Sequence, residues 1–215
     1  MNIAIQEISC GEQKIVLTNQ KALFWETEKA LVLSDLHVGK AATFRKHGIP
    51  IPKKVFEHDL DRLQQLLTYF NADKLIVVGD LFHAEYNSDI TYFKNWVGKL
   101  DFTIELIVGN HDRQSKGLYQ EMNFTVFKKE KISHNFLFVH DEESAKTNYY
   151  IISGHTHPGV LIKGRGKQHF KLPCYQVGKQ KLILPAFSNF TGLNTRRVPD
   201  ECTSYACTDT EIFKI

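Results

Sequence analysis

The sequence predicts an α/β fold built on two packed sheets, and three features of the 215 residues lead there. Apolar runs suited to buried strands alternate with amphipathic helical stretches up to about Phe124. After Phe124 the pattern changes to short alternating strands separated by "GRGKQ" and "VGKQ", as expected of a second sheet packed on the first. Five apolar runs also end in the same way, delivering Asp, Asn or His at their C-terminal ends: "KALVLSDLH", "KLIVVGD", "IELIVGNHD", "NFLFVHD" and "YYIISGHTH".

The elements follow in order. "QKIVLT" and "KALFWE" read as an opening hairpin, and "ALVLS" as the first core strand. Over residues 52–70, Val55, Leu60, Leu63, Leu67 and Phe70 recur near helical spacing, with Pro52 near the start, where its missing N–H costs nothing. A turn at Asn71 leads into the strand "KLIVVG". A second helical stretch over residues 88–100 precedes "TIELIVG", giving βαβ-like units with right-handed crossovers expected. The sequence shows no internal repeat, low-complexity segment or interdomain linker, and its length suits one domain over residues 1–215.

Composition narrows the function classes. Hydrophobic residues make up 42% and charged residues 24%, ordinary values for a water-soluble globular chain. No apolar run approaches the roughly 20 residues of a membrane span. "MNIAIQEISCGEQK" lacks a basic leader followed by an apolar block, so a cytoplasmic location is expected. Cys10, Cys174, Cys202 and Cys207 include no Cys-x-x-Cys pair and are expected to be reduced thiols, with a Cys202–Cys207 disulfide or metal pair as the alternative. The net charge of +3 hides an asymmetry. Residues 158–199 hold no Asp or Glu but carry Lys163, Arg165, Lys167, Lys171, Lys179, Lys181, Arg196 and Arg197. Such a split suits a polyanionic partner, or else a solvated lysine-rich hairpin.

Ligands of α/β sheets bind beyond the carboxyl ends of the strands. Placed there, Asp35, His37, Asp80, Asn110, His111, His140, His155 and His157 would cluster despite their separation along the chain. Carboxylate, imidazole and amide groups without a thiolate fit two divalent ions of the Mn, Fe or Zn type better than a structural zinc. Lone Asp-x-His or Gly-Asp pairs are usually turns or caps. Five such signals in order, each after a strand, are not.

The ordered set "DLH", "GD", "GNHD", "FVHD" and "GHTH" resembles the motif series of the calcineurin-like metallophosphoesterases, over at least residues 31–158. The resemblance implies a four-layer αββα sandwich of two mixed sheets flanked by helices. It implies that Asp35, His37 and His157 bind one metal, that Asn110, His140 and His155 complete a second, and that Asp80 bridges them. His111 would stabilise or protonate the leaving oxygen, and a metal-activated water would replace a protein nucleophile. Asp112 is expected to be a supporting group. "GDLFH" places His83 where many relatives carry an acidic residue that orients the catalytic histidine. His83 then either contacts substrate phosphate or is a polar side chain at the edge of the site. His134 competes with His140, but only His140 ends an apolar run; His47, His58 and His169 lack motif context and are expected at the surface.

"SDLHVGKAATFRKHGIPIP", "GDLFH", "GNHDR", "GHTHP" and "LPAFSNFTG" look more specifically like the ligase-associated DNA damage response metallophosphoesterases, encoded with a DNA ligase and a helicase. This implies manganese-dependent cleavage of DNA phosphodiesters, with single strands expected. His83, Arg113, Lys163, Arg165 and Lys167 would then contact substrate, and Phe170, Tyr175, Phe187 and Phe190 would stack bases or serve as core aromatics. Other readings are a small-molecule phosphatase or nucleotide phosphodiesterase and, in a different class, a non-catalytic interaction scaffold. UDP-sugar lipid pyrophosphatases share several motifs but carry Arg where this chain has His111.

Overall fold

The computed structural model describes residues 1–83, 85–144, 147–164, 166, 168–196 and 201–215. The first sheet runs in chain order: β1 (Ile5–Cys10), β2 (Gln13–Thr18), β3 (Leu23–Trp25), β4 (Ala30–Leu33), β5 (Lys74–Val78), β6 (Thr103–Ile107) and β7 (Phe124–Phe127). Tight turns make β1 to β4 antiparallel, and helical crossovers make β4 to β7 parallel. The expected opening hairpin is β2–β3; β1 precedes it.

The second sheet contains β8 (Glu130–Ser133), β9 (Phe136–Val139), β10 (Tyr150–Ser153), β11 (Gly159–Lys163), β12 (His169–Val177), β13 (Lys181–Ile183), β14 (Thr203–Cys207) and β15 (Ile212–Lys214). Its order is β15-β14-β12-β13-β10-β9-β8, with β11 paired to the first half of β12. β10 lies parallel to both β9 and β13, so this sheet is mixed as well.

Among the described residues four α-helices accompany the sheets: α1 (Lys40–Lys46), α2 (Lys54–Phe70), α3 (Ser88–Val97) and α4 (Lys116–Glu121). On α2, Phe56, Leu60, Leu63, Leu66 and Leu67 form a buried stripe, and Asn71 ends the helix in the left-handed region at φ 47°. The side chain of Asn87 caps α3 by accepting from the N–H groups of Asp89 and Ile90. α2, α3 and α4 cover one face of the first sheet, packing on Leu31, Leu33, Leu75, Val77, Ile104 and Leu106. The opposite face meets the second sheet through Trp25, Val32, Ile76, Phe136, Phe138 and Tyr175. The two mixed sheets and the flanking helices are therefore present as expected. Among the described residues every α-helix lies on the first-sheet side. Among the described residues the connections of the second sheet carry no α-helix, one of them passing through the short 3₁₀ turn Glu142–Ser144 and another crossing to the first sheet after β13, and a small cluster of Val160, Cys174 and Ala206 lies apart from the two main cores. Among the described residues no helix is long and apolar enough to cross a membrane.

One buried polar cluster ties α2 to both sheets. Lys21, in the β2–β3 turn, donates to Asn189 Oδ1 at 2.8 Å, and Arg62 of α2 donates to the same oxygen at 3.1 Å. Arg62 also pairs with Asp59 at 3.2 Å and donates to the Phe187 carbonyl. Burial, with the Arg62 charge adding to it, pushes the Lys21 ammonium from 10.5 down to about 7. The unfolded chain thus binds one proton more than the fold between those values. The destabilisation by Lys21 is complete below pH 7 and fades as pH rises towards 10.5. Relative to Lys21→Met, the wild type should gain up to about 1.4 kcal/mol of stability per pH unit across this window, measured by denaturant unfolding. Parallel pH profiles for the two proteins would contradict this account.

Candidate metal centre

The chemistry-bearing residues sit just past the ends of five strands. Asp35 and His37 follow β4, Asp80 follows β5, Asn110 and His111 follow β6, His140 follows β9, and His155 and His157 follow β10. β4, β5 and β6 are parallel neighbours, as are β9 and β10, so each sheet brings its ends to one edge. The edges are joined where chain leaving β13 crosses between the sheets. Leu184 N–H donates to Ser153 O at 2.7 Å, Phe187 N–H to Ser34 O at 2.9 Å, and Ser188 N–H to Asp35 O at 3.2 Å.

Two groups of donor atoms result, each within 4.8 Å: Asp35 with His37 and His157, and Asp80 with His140 and His155. Asp80 Oδ2 lies 3.4 Å from His140 Nε2 and 3.6 Å from His37 Nε2, so this one carboxylate reaches both groups. His157 Nε2 is 3.1 Å from Asp35 Oδ1, and His155 Nδ1 is 3.1 Å from His140 Nε2. Two imidazole nitrogens and a carboxylate oxygen thus aim lone pairs into one small space, which suits a cation. Burial opposes the charge of Asp80, but His140, His37 and the His111 N–H hold it well below the usual carboxylate range. Burial also opposes a charge on His140, yet Asp80 and then Asp35 outweigh it and raise its pKa to about 9.

The backbone is bent to achieve this. Asp35, His37, Asp80, His155 and His157 all have positive φ, between 48° and 66°. Non-glycine residues there cost roughly 1–3 kcal/mol each and persist only where their surroundings enforce them. Asp35 N–H donates to Gly79 O at 3.1 Å and His37 N–H to Asp80 O at 3.0 Å, fastening the first loop to the second. Close approach fixes two glycines: a Cβ at Gly79 would overlap the His140 imidazole, and one at Gly109 the backbone N and carboxylate of Asp80. Asp112, pushed up to about 6 by burial, accepts from Phe82 N–H and Gly109 N–H at 2.8 Å each. It is the supporting group expected, binding the "GNHD" loop to the "GDLF" loop.

The remaining expected residues are placed as follows. His111 donates its backbone N–H to Asp80 Oδ1 at 2.9 Å, and its ring stacks on His83 at 4.7 Å and stands 6.0 Å from the His37 ring. His83, His111, Arg113, Glu85 and Gln114 line an open cleft of about 440 Å³. Burial, then the charges of His37 and Lys40, lower the His83 pKa to about 4. Asn110 is exposed, and its backbone carbonyl accepts from Arg113 Nε at 3.3 Å. His134 pairs with Glu28 at 2.9 Å at the edge of the fold, leaving His140 alone at the centre. His47, His58 and His169 are exposed. Lys163 is exposed on β11; Arg165 and Lys167 lie outside the described residues. Phe170 is exposed, Phe190 half-buried, and Tyr175 and Phe187 are core residues. All four cysteines are free.

A family model for calcineurin-like phosphoesterases matches residues 29–157. The chain belongs to the calcineurin-like phosphoesterase family. As such it is a metal-dependent phosphoesterase, and the two donor groups are where its divalent ions fit. The crystal structure of Pseudomonas putida nuclease MPE is similar at TM-score 0.83 and 26% identity, over 98% of this chain and 100% of that one. A protein of unknown function from Aquifex aeolicus, AQ665, reaches TM-score 0.43 at 20% identity, over 60% of this chain and 78% of that one. No curated protein matches the chain.

The motif pattern did not reveal Thr191. Its Oγ1 lies 3.1 Å from His37 Nδ1, and in the tautomer in which Nδ1–H donates to it Nε2 is left free to face the centre. His140 is oriented in the same way, Nδ1–H donating to the Val78 carbonyl at 3.2 Å. Thr191→Val keeps the shape and removes the acceptor. It should lower divalent-metal affinity by about 10–100-fold in a metal-buffer titration. Unchanged affinity would show that Thr191 does not orient His37.

Proposed function

We propose that the protein is a manganese-dependent phosphodiesterase that cleaves single-stranded DNA endonucleolytically, acting as one domain in the DNA damage response beside a DNA ligase and a helicase. The observation that carries this reading is the basic hairpin β11–β12, which starts directly from the metal-binding loop. Pro158 follows His157, and Asn194 fastens the hairpin base, its N–H donating to His157 O at 2.9 Å while its carbonyl accepts from Gly159 N–H at 3.0 Å. Lys163, Lys171 and Phe170 are exposed on this hairpin, and residues 158–199 contain no carboxylate side chain to offset its charge. Cations with an exposed aromatic suit a flexible polyanion carrying bases. That Pseudomonas putida MPE is called a nuclease favours the same substrate class. Free thiols favour the cytoplasm, where they remain reduced.

The divalent ions, when bound, supply Lewis-acid polarisation of phosphoryl oxygens and a water of lowered pKa. The proposed holders of those ions are Asp35, His37 and His157 for one, Asp80, His140, His155 and Asn110 for the other, with Asp80 shared. His111, exposed in the cleft and anchored through its backbone to Asp80, is positioned to hydrogen-bond or protonate the departing oxygen. Arg113 presents a guanidinium to phosphate at the same cleft. His83 stacks on His111 and limits the ring positions open to it.

If the hairpin tracks a strand, each phosphate contact releases counterions, giving a log–log salt slope of about −0.7 per contact. Replacing Lys163 and Lys171 together by Gln should weaken oligonucleotide binding and flatten the slope by about 1.4 for two lost contacts. Unchanged affinity and slope would remove the hairpin from the substrate path and favour a small phosphodiester.

A further inference from the structure

Lys40 is a cation of this centre to which the motif chemistry gives no task. It lies one turn after His37, its N–H donating to His37 O at 3.0 Å. Its side chain is half-buried, with Nζ 5.9 Å from the centroid of the Phe190 ring. Its charge is felt at Asp35, Asp80, His37 and His83, yet it acts on the two carboxylates through space rather than by hydrogen bonds. Among the described residues no ion pair within 4.0 Å uses Lys40. A partly desolvated ammonium with unused donors is costly unless an anion completes it.

The position is also built. Gly39, at φ 91°, packs so closely on Asn87 that a Cβ would stand 2.8 Å from Asn87 Nδ2. That Nδ2 donates to Gly39 O at 3.0 Å, while Asp89 accepts from Ala42 N–H at 2.9 Å and from Arg45 at 2.7 Å. α1 is thereby clamped to α3 on both sides of Lys40. A pre-positioned cation loses less entropy on binding than a free surface lysine.

We propose that Lys40 is a substrate-binding residue that holds the phosphate next to the one under attack, and so makes the site select a polynucleotide strand over an isolated phosphodiester. The phosphate under attack belongs to the ions held by Asp35 and Asp80. Lys40, out of hydrogen-bond contact with both carboxylates, serves the neighbouring phosphate on the rim formed by α1 and Phe190. This inference rests on the DNA reading given above.

The test is steady-state cleavage and binding of a single-stranded oligonucleotide by the manganese-loaded wild type, Lys40→Met and Lys40→Arg. Lys40→Met should raise KM about tenfold, the scale of one charge-assisted hydrogen bond, with a smaller effect on kcat and with metal content retained. Its binding slope against salt should be flatter by about 0.7. Lys40→Arg should recover most of the lost binding. A Lys40→Met protein with wild-type KM and slope overturns the proposal while leaving the DNA reading intact, and one that loses its metals overturns it in favour of a role in shaping the centre. A wild type that neither binds nor cleaves the strand overturns the DNA reading, and the role of Lys40 falls with it.

Discussion

The buried carboxylate of Asp80 is the constraint on which the rest of the structure depends. It stands between two sets of imidazoles, within 3.4 Å of His140 and 3.6 Å of His37, where few waters can solvate it. Without cations the carboxylate raises the pKa of His140, whereas burial lowers that of His37. Metal binding would displace the proton that Asp80 favours on His140. Five of the six carboxylate and imidazole donors also have left-handed backbone, a conformation the chain would not adopt unless neighbouring loops imposed it.

Both sheets are arranged to meet this demand. β4, β5 and β6 supply Asp35, His37, Asp80 and His111 from one side, and β9 and β10 supply His140, His155 and His157 from the other. The crossing at residues 184–191 joins the two sides: Phe187 and Ser188 bind the backbone at Ser34 and Asp35, and Thr191 reaches His37. That crossing is in turn held from below by Arg62, which donates to the Phe187 carbonyl and stacks on its ring at 4.1 Å. A loop with no ligand of its own thus fixes two ligands, at the cost of burying Lys21, Asp59 and Arg62.

Much of this was legible because local patterns carry it. β4 is an uninterrupted apolar run, β5 one after Lys74, and β6 one broken only by Glu105 after its first residue; α2 shows its stripe of leucines, and each donor follows soon after its strand, so "DLH", "GD", "GNHD" and "GHTH" state both identity and place. The elements missed are those without a periodic signature. α1 and α4 span only seven and six residues, and β1 alternates weakly around polar residues. Thr191 and His37 lie 154 positions apart, and Arg62 and Phe187 lie 125 apart, so no local rule could pair them. The one-sided helical flank was hidden for a related reason. Sequence spacing marks the second sheet as short strands, but not that among the described residues its connections carry no α-helix.

The most direct test of the account is the metal stoichiometry of Asp80→Asn, measured by elemental analysis during titration and compared with the wild type. If Asp80 is shared by both donor groups, the wild type takes up two ions per chain, and the variant loses affinity at both sites together, with hydrolysis of bis-p-nitrophenyl phosphate nearly abolished. A variant that loses one ion while the other binds as tightly as in the wild type would contradict the shared carboxylate.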